Sequence, residues 1–161
     1  YADAIPSTYK YKNNPDEPII NILERLARND IEIDAIIVNK ERIDANLKTL
    51  PYGVLYNYFS KNVLIRRITM YEDAKLFIDR TNKQTHKMKH FDDYIYTEAL
   101  LNKGRNFNFS IEHADSNVVT GICAVDFISW GLSRFYEFGD DRFISCFQDK
   151  LRNHIRYLFP Q

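Results

Sequence analysis

The sequence predicts an α/β fold in which helices cover a parallel sheet. Short runs of β-branched and aromatic residues alternate along the chain with longer segments whose apolar residues recur at helical spacing. Strands separated by helices usually pair in parallel, and such sheets are covered on both faces. The 161 residues fit one domain, and the 45% of apolar residues can fill its core.

The first 68 residues are predicted to contain a helix, a strand and a second helix. Apolar residues at helical spacing over Ile19–Ala27 follow Pro18, which favours a helix start. The run Ile31–Val38 is rich in β-branched residues and predicts a largely buried strand. A further apolar stripe over residues 53–68 predicts the second helix.

The middle of the chain repeats this pattern of strand and helix. The apolar run Ala74–Ile78 predicts a strand that Asp79 closes, and a helical stripe follows between Met88 and Ala99. Residues 106–113 alternate between apolar and polar, with Phe107, Phe109, Ile111 and His113 on one face, and form the clearest strand.

Two helices are predicted after this strand. One covers residues 118–138 and ends at Gly139, and the other carries the apolar residues Phe143, Phe147, Leu151, Ile155 and Leu158. Three strands make a narrow sheet for five helices, and an uncovered parallel edge can pair with another chain. We therefore expect either that N-terminal strands are missing, as the start at Tyr1 rather than Met also suggests, or that a partner covers the edge, for example in a homodimer.

Composition excludes several classes of function. Lys+Arg and Asp+Glu are equal at 22, so attraction to nucleic acid must be local. Cys123 and Cys146 form no CxxC motif, which is typical of a reducing, cytoplasmic setting. No apolar run is long enough for a membrane span. Glycine-rich phosphate loops, HExxH pairs and GxSxG elbows are absent from the sequence. No motif therefore supports a nucleotide-binding, zinc-protease or serine-hydrolase function.

The segment HADSNVVTGICAVDFISWGLSRFYEFGD, residues 113–140, resembles the C-terminal signature of the domain-of-unknown-function 3800 family, which is regarded as ribonuclease-H-like. The sequence KLFIDR also resembles that family's strand ending in Asp. The resemblance implies a single ribonuclease-H-like domain over residues 1–161. It also implies a set of site residues: Asp79, Asp115 with Ser116, Asp126 and Arg134.

This sequence departs from the family pattern in two places. Ile122-Cys123 stands where the family usually has Leu-Gln before the helical Asp. The family's opening strand, with its Asp-Glu-Ser-Gly type motif, is not found in this chain. The resemblance therefore implies that a first metal carboxylate lies upstream of Tyr1.

The implied chemistry is hydrolysis of a phosphodiester with divalent metal ions. Two hard cations about 3.5–4 Å apart would hold the attacking and leaving oxygens, and carboxylates would hold the cations. Asp79 and Asp126 are the candidate ligands for Mg²⁺ or Mn²⁺. Arg134 could hold the phosphate. The stretch Arg80–His90 is basic, and we expect Arg80, Lys83, Lys87 and Ser116 to contact a nucleic acid substrate.

Each candidate also has a structural alternative. Asp79 could cap the next helix, and Asp115 and Ser116 could cap the helix from Val118. Asp126 and the basic stretch could lie on solvated helix faces, and His113 could be a core histidine. The alternative for the whole chain is a non-catalytic module of the same fold that binds nucleic acid or a protein.

Overall fold

The computed structural model of the chain describes residues 15–80, 85–103 and 107–157. Its helices are α1 (Glu17–Ala27), α2 (Ala45–Lys48), α3 (Tyr52–Ile68), α4 (Thr85–Lys103) and α5 (Thr120–Phe138). Its strands are β1 (Ile33–Val38), β2 (Asp73–Asp79), β3 (Asn108–Ala114) and β4 (Leu151–Tyr157). The predicted α/β class is therefore confirmed.

The described residues divide into two compact units. Of the described residues, the first unit consists of 15–33 together with 115–152, and the second consists of 34–80, 85–103, 107–114 and 153–157. Among the described residues, no helix combines the length and the apolar character that crossing a membrane requires. The single domain predicted from the sequence stays a prediction.

The second unit is built on two neighbouring parallel strands. β2 pairs with β3 in a register that runs from Asp73 opposite Asn108 to Asp79 opposite Ala114. The pairing continues one residue further, because the backbone N–H of Arg80 donates to the carbonyl of Ala114 at 2.8 Å. A parallel pair with a helix, α4, between its strands is the arrangement that the sequence pattern predicts.

One face of this strand pair carries the core of the second unit. Ala74, Leu76 and Ile78 alternate along β2 and pack with residues of α3 and α4 around a buried cluster. The buried members of that cluster are Ile65, Ile68, Phe91, Ile95, Ala99 and Phe109. Since side chains alternate along a strand, the odd-numbered residues of β2 lie on the opposite, outer face.

The outer face of the strand pair is polar and largely exposed. Lys75 pairs with Glu112 of β3 at 2.7 Å and lies 4.7 Å from the ring centroid of Phe77. Asn108 donates to Asp73 at 2.9 Å. Asp79 is the last residue on this face of β2.

The first unit packs α1 and α5 with the chain that follows α5. Leu23 and Leu26 of α1 are buried, as are Ile122 and Leu132 of α5. Phe143 and Phe147 are almost fully buried, at 0% and 1% exposed. Phe147 comes so close to α5 that a Cβ atom built on Gly131 would lie 3.1 Å from its ring. A larger residue at position 131 would force the ring to move.

The predicted last helix is wrong. After α5 the chain forms two short 3₁₀ turns, Ile144–Cys146 and Gln148–Lys150, and then continues as β4, which pairs with β1. The apolar spacing correctly indicated that Phe143 and Phe147 are buried, but it could not show that β1 offers a strand partner. Backbone pairing with that distant strand overrides the local helical pattern. Leu158 lies outside the described residues.

The local sequence sets the C-terminal end of α5, whereas no capping side chain marks its N-terminal end. Gly139 ends the helix as predicted, with the left-handed φ of 70° that glycine adopts without strain. At the other end the N-cap residue is Val119, which makes no side-chain capping bond. The helix cap predicted for Asp115 is therefore wrong, because Asp115 lies in a turn four residues before the N-cap residue Val119.

Candidate functional site: the carboxyl edge of the strand pair

Asp79 ends β2 at the edge where open α/β sheets place their ligand sites. Its side chain is half-buried on the outer face of the strand pair. Arg80 follows directly and is exposed, and its Nη2 donates to the backbone carbonyl of His113 at 3.1 Å. This bond uses one of five guanidinium N–H groups, so a carboxylate and an anchored arginine are adjacent at this edge.

His113 and Asp92 form a second polar pair near the same end of the strands. Nε2 of His113 lies 2.8 Å from Oδ1 of Asp92, and the two side chains are 13% and 33% exposed. The pair lies on the face that carries the core, because His113 is in register with Ile78. A carboxylate that orients an imidazole is an arrangement used in proton transfer and in metal binding.

The sequence alone did not identify Asp92. It lies on α4 and 21 residues before His113, so only the packing of α4 against β3 brings the two together. The predicted core position of His113 is correct in part, since the ring is mostly buried but has an ionisable partner. His113 and Asp79 project from opposite faces of the strand pair.

Asp126 and Arg134 belong to α5 in the first unit, whereas Asp79 and Arg80 belong to the second. Asp126 is exposed. The predicted metal pair of Asp79 and Asp126 therefore does not lie within one compact unit, and it stays a prediction.

Arg134 is engaged by its own unit. Its Nη2 donates to Oδ2 of Asp140 at 3.2 Å, and its guanidinium lies 4.6 Å from the ring centroid of Phe138 and 5.9 Å from that of Trp130. Its Nε is buried and has no hydrogen-bond partner among the described residues. These contacts fix the side chain by packing as well as by charge.

Asp140 receives a second arginine. Arg142 donates to its two carboxylate oxygens from Nε at 2.9 Å and from Nη2 at 2.8 Å, and reaches Asp16 with Nη1 at 3.0 Å. Hydrogen bonds from Arg142, and then from Arg134, hold the pKa of Asp140 well below its usual range despite some desolvation. Arg134 thus takes part in an ion-pair network that links α5 to the segment after it and to the start of α1.

Asp115 and Ser116 lie in the turn that precedes α5. Oδ1 of Asp115 accepts hydrogen bonds from the backbone N–H and the side-chain amide of Asn117, both at 2.8 Å. An aspartate that bonds the backbone two residues ahead stabilises a turn. Asp115 is exposed and keeps its second carboxylate oxygen for other partners.

The side chains of the remaining candidates, Lys83 and Lys87, lie outside the described part of the chain. Lys83 belongs to residues 81–84, which are not described. Capping of α4 by Asp79 would involve the same residues, so it stays a prediction. Lys87 lies within α4, but its side chain is outside the description.

The described residues do not group into a metal site. In residues 15–80, 85–103 and 107–157, no group of three or more His, Cys, Asp or Glu side chains is placed to hold one. These residues therefore do not by themselves complete a metal centre around Asp79.

Comparisons with protein-family models, with curated proteins and with solved structures find no match to the chain.

Proposed function

We propose that the chain is part of a ribonuclease-H-like domain that hydrolyses phosphodiesters with Mg²⁺ or Mn²⁺. The observation that carries the proposal is the position of Asp79, at the carboxyl end of a strand with a parallel neighbour. This is where α/β folds bind ligands, and a carboxylate supplies the hard oxygen ligands that these cations prefer. The resemblance of residues 113–140 to the domain-of-unknown-function 3800 family supports the same assignment.

The described residues do not form a complete metal site, and we therefore derive no catalytic step through the ion. This chain's own residues supply the carboxylate of Asp79 at the strand end and the guanidinium of Arg80 beside it. Arg80 is the better phosphate ligand of the two predicted arginines, because Arg134 is already paired with Asp140. An arginine can hold a phosphate through paired N–H donors.

The test compares two aspartates at opposite ends of the same strand. Asp79→Asn removes the candidate ligand, whereas Asp73→Asn makes the same chemical change on the same face of β2, away from the carboxyl edge. The full chain would be assayed for Mn²⁺-dependent cleavage of labelled single-stranded DNA, double-stranded DNA and RNA, and for Mn²⁺ binding by electron paramagnetic resonance.

We expect Asp79→Asn to lower cleavage at least a hundredfold and to weaken Mn²⁺ binding, while Asp73→Asn keeps both. Equal behaviour of the two variants would contradict the role of Asp79. A wild-type chain that neither binds Mn²⁺ nor cleaves any of the three substrates would contradict the proposed reaction.

The second candidate is a non-catalytic module of the same fold that binds nucleic acid. The observation that favours it is Arg80, which is exposed and anchored at the strand end without any need for a metal. In this case oligonucleotide binding should survive Asp79→Asn together with Asp126→Asn but weaken in Arg80→Gln. The homodimer through an open sheet edge is a further proposal, which sedimentation of the chain would test.

A further inference from the structure

A small open cleft lies on the second unit, and its lining combines two arginines with one aspartate. Its polar lining consists of Asp34, Asn62, Arg66, Arg67 and Asn153, and its apolar lining consists of Ala35 and Val63. Arg66 and Arg67 come from the last turn of α3, and Asp34 comes from β1. None of these residues takes part in the edge that carries Asp79.

The charges of Asp34 and Arg67 neutralise each other. Nε of Arg67 donates to Oδ2 of Asp34 at 2.5 Å, and both side chains are mostly buried. Burial opposes ionisation of Asp34, but hydrogen bonds from Arg67 and Asn153 and the charges of Arg67 and Arg66 outweigh it, so the pKa of Asp34 is lowered. This pair therefore remains ionised at neutral pH and adds no net charge to the cleft.

Arg66 adds the positive charge that remains. Its Nη1 donates to Oδ1 of Asn153 at 2.7 Å, and within the described part of the chain no carboxylate lies within ion-pair distance of it. The amide of Asn153 is itself fixed, because its Nδ2 donates to Oδ1 of Asp34 at 2.7 Å. Asp34 thus orients Asn153, and Asn153 orients the guanidinium of Arg66.

A guanidinium with five N–H groups, of which one is used here, has donors left for a second acceptor. The planar pairs of N–H groups in arginine match two oxygens of a phosphate. Because the side chain is already held by Asn153, less rotamer entropy is lost when it binds a ligand. The C-terminal end of α3 carries a partial negative charge, which disfavours a bound anion. The positive charge of Arg66 offsets this effect.

We propose that this cleft binds a phosphate group through Arg66, with Asn153 as the residue that positions it. The phosphate could be the terminal group of a nucleotide or a group in the backbone of a nucleic acid. The proposal is independent of the metal-dependent reaction, since it uses neither Asp79 nor a divalent ion.

The test uses three variants of the full chain. Arg66→Gln removes the guanidinium that is proposed to bind the phosphate. Arg42→Gln removes another exposed arginine of the same unit that does not line the cleft. Asn153→Ala leaves the charge unchanged but releases Arg66. Circular dichroism spectra and urea unfolding establish that each variant is folded.

Three probes separate the sources of phosphate. Inorganic phosphate and a nucleoside monophosphate would be titrated at constant ionic strength, with amide shifts in ¹H–¹⁵N spectra and calorimetry as readouts. A fluorescent oligothymidylate without terminal phosphate would be titrated by anisotropy. Binding of the first two probes alone indicates a terminal phosphate, and binding of the oligothymidylate indicates the backbone.

We expect Arg66→Gln to raise the Kd of the bound probe at least tenfold and Arg42→Gln to raise it less than twofold. Asn153→Ala should raise the Kd severalfold without any change of charge. Equal losses in Arg66→Gln and Arg42→Gln would mean that only the overall charge matters and would overturn the proposal. Absence of binding for all three probes would overturn it as well.

Discussion

Phe143 is the residue whose removal should most damage the first unit. It is fully buried, its ring meets that of Trp130 edge to face at a centroid distance of 4.5 Å, and its Cβ lies 3.4 Å from the Cβ position of Gly131. Phe143→Ala would remove a ring from a region in which α5 packs against the 3₁₀ turn Ile144–Cys146. Collapse of the surrounding residues could fill only part of the space.

Deleting a buried phenylalanine side chain typically costs about 3–5 kcal/mol, which includes the cavity that it leaves. The edge-to-face contact with Trp130 contributes about 0.5–1.5 kcal/mol of this loss. Domains are usually stable by about 5–15 kcal/mol, so Phe143→Ala should remove a large part of the unfolding free energy. Phe143→Leu keeps most of the apolar volume and should lose about 1–2 kcal/mol.

The matched control is Phe138→Ala. Phe138 is in the same unit but 66% exposed, and its ring contacts Arg134. Loss of an exposed cation–π contact costs about 0.5–1 kcal/mol. Urea unfolding would be followed by circular dichroism and by fluorescence of Trp130, the single tryptophan of the chain. If Phe143→Ala and Phe143→Leu lose no more than Phe138→Ala, with unchanged m values, the packing described for the first unit is wrong.

Two further predictions concern Asp34 and Gly139. Because the pKa of Asp34 is lower in the folded chain than the ordinary value of 3.8, its ionised form stabilises the fold above that value, and this stability is lost as the pH falls through the folded pKa. Unfolding free energies measured from pH 7 downward should therefore converge for wild type and Asp34→Asn at acidic pH, and a constant difference would contradict the ion pair with Arg67. Gly139→Ala should destabilise the chain by about 1 kcal/mol because φ is 70° there. The control is Gly121→Ala, which lies in helical backbone and has nothing within 4 Å of the added Cβ; it should be neutral or stabilising in thermal melting. A Gly121→Ala variant less stable than Gly139→Ala would refute the assigned helix end.

The candidate site could be predicted only in part. Asp79 was placed correctly at the end of a strand, because an apolar run followed by a charged residue is a local signal. The partners of Arg134 were predictable in neither identity nor number, although Asp140 is only six residues away. Asp92, Asp34 and Asn153 gave no local signal at all, since each acquires its role from a residue at least 21 positions away.

The sequence by itself determined the α/β class, the parallel pairing of β2 with β3, the core face of β3 and the end of α5 at Gly139. These features depend on hydrophobic period, turn residues and the unique backbone freedom of glycine, all of which are encoded within a few neighbouring residues. Only the tertiary structure decided that the chain after Lys150 is a strand, and that Asp34, Asn153 and Arg66 form one chain of hydrogen bonds. The physical reason is that strand pairing and polar networks join residues distant in sequence, and their energies depend on the geometry in which the fold brings them together.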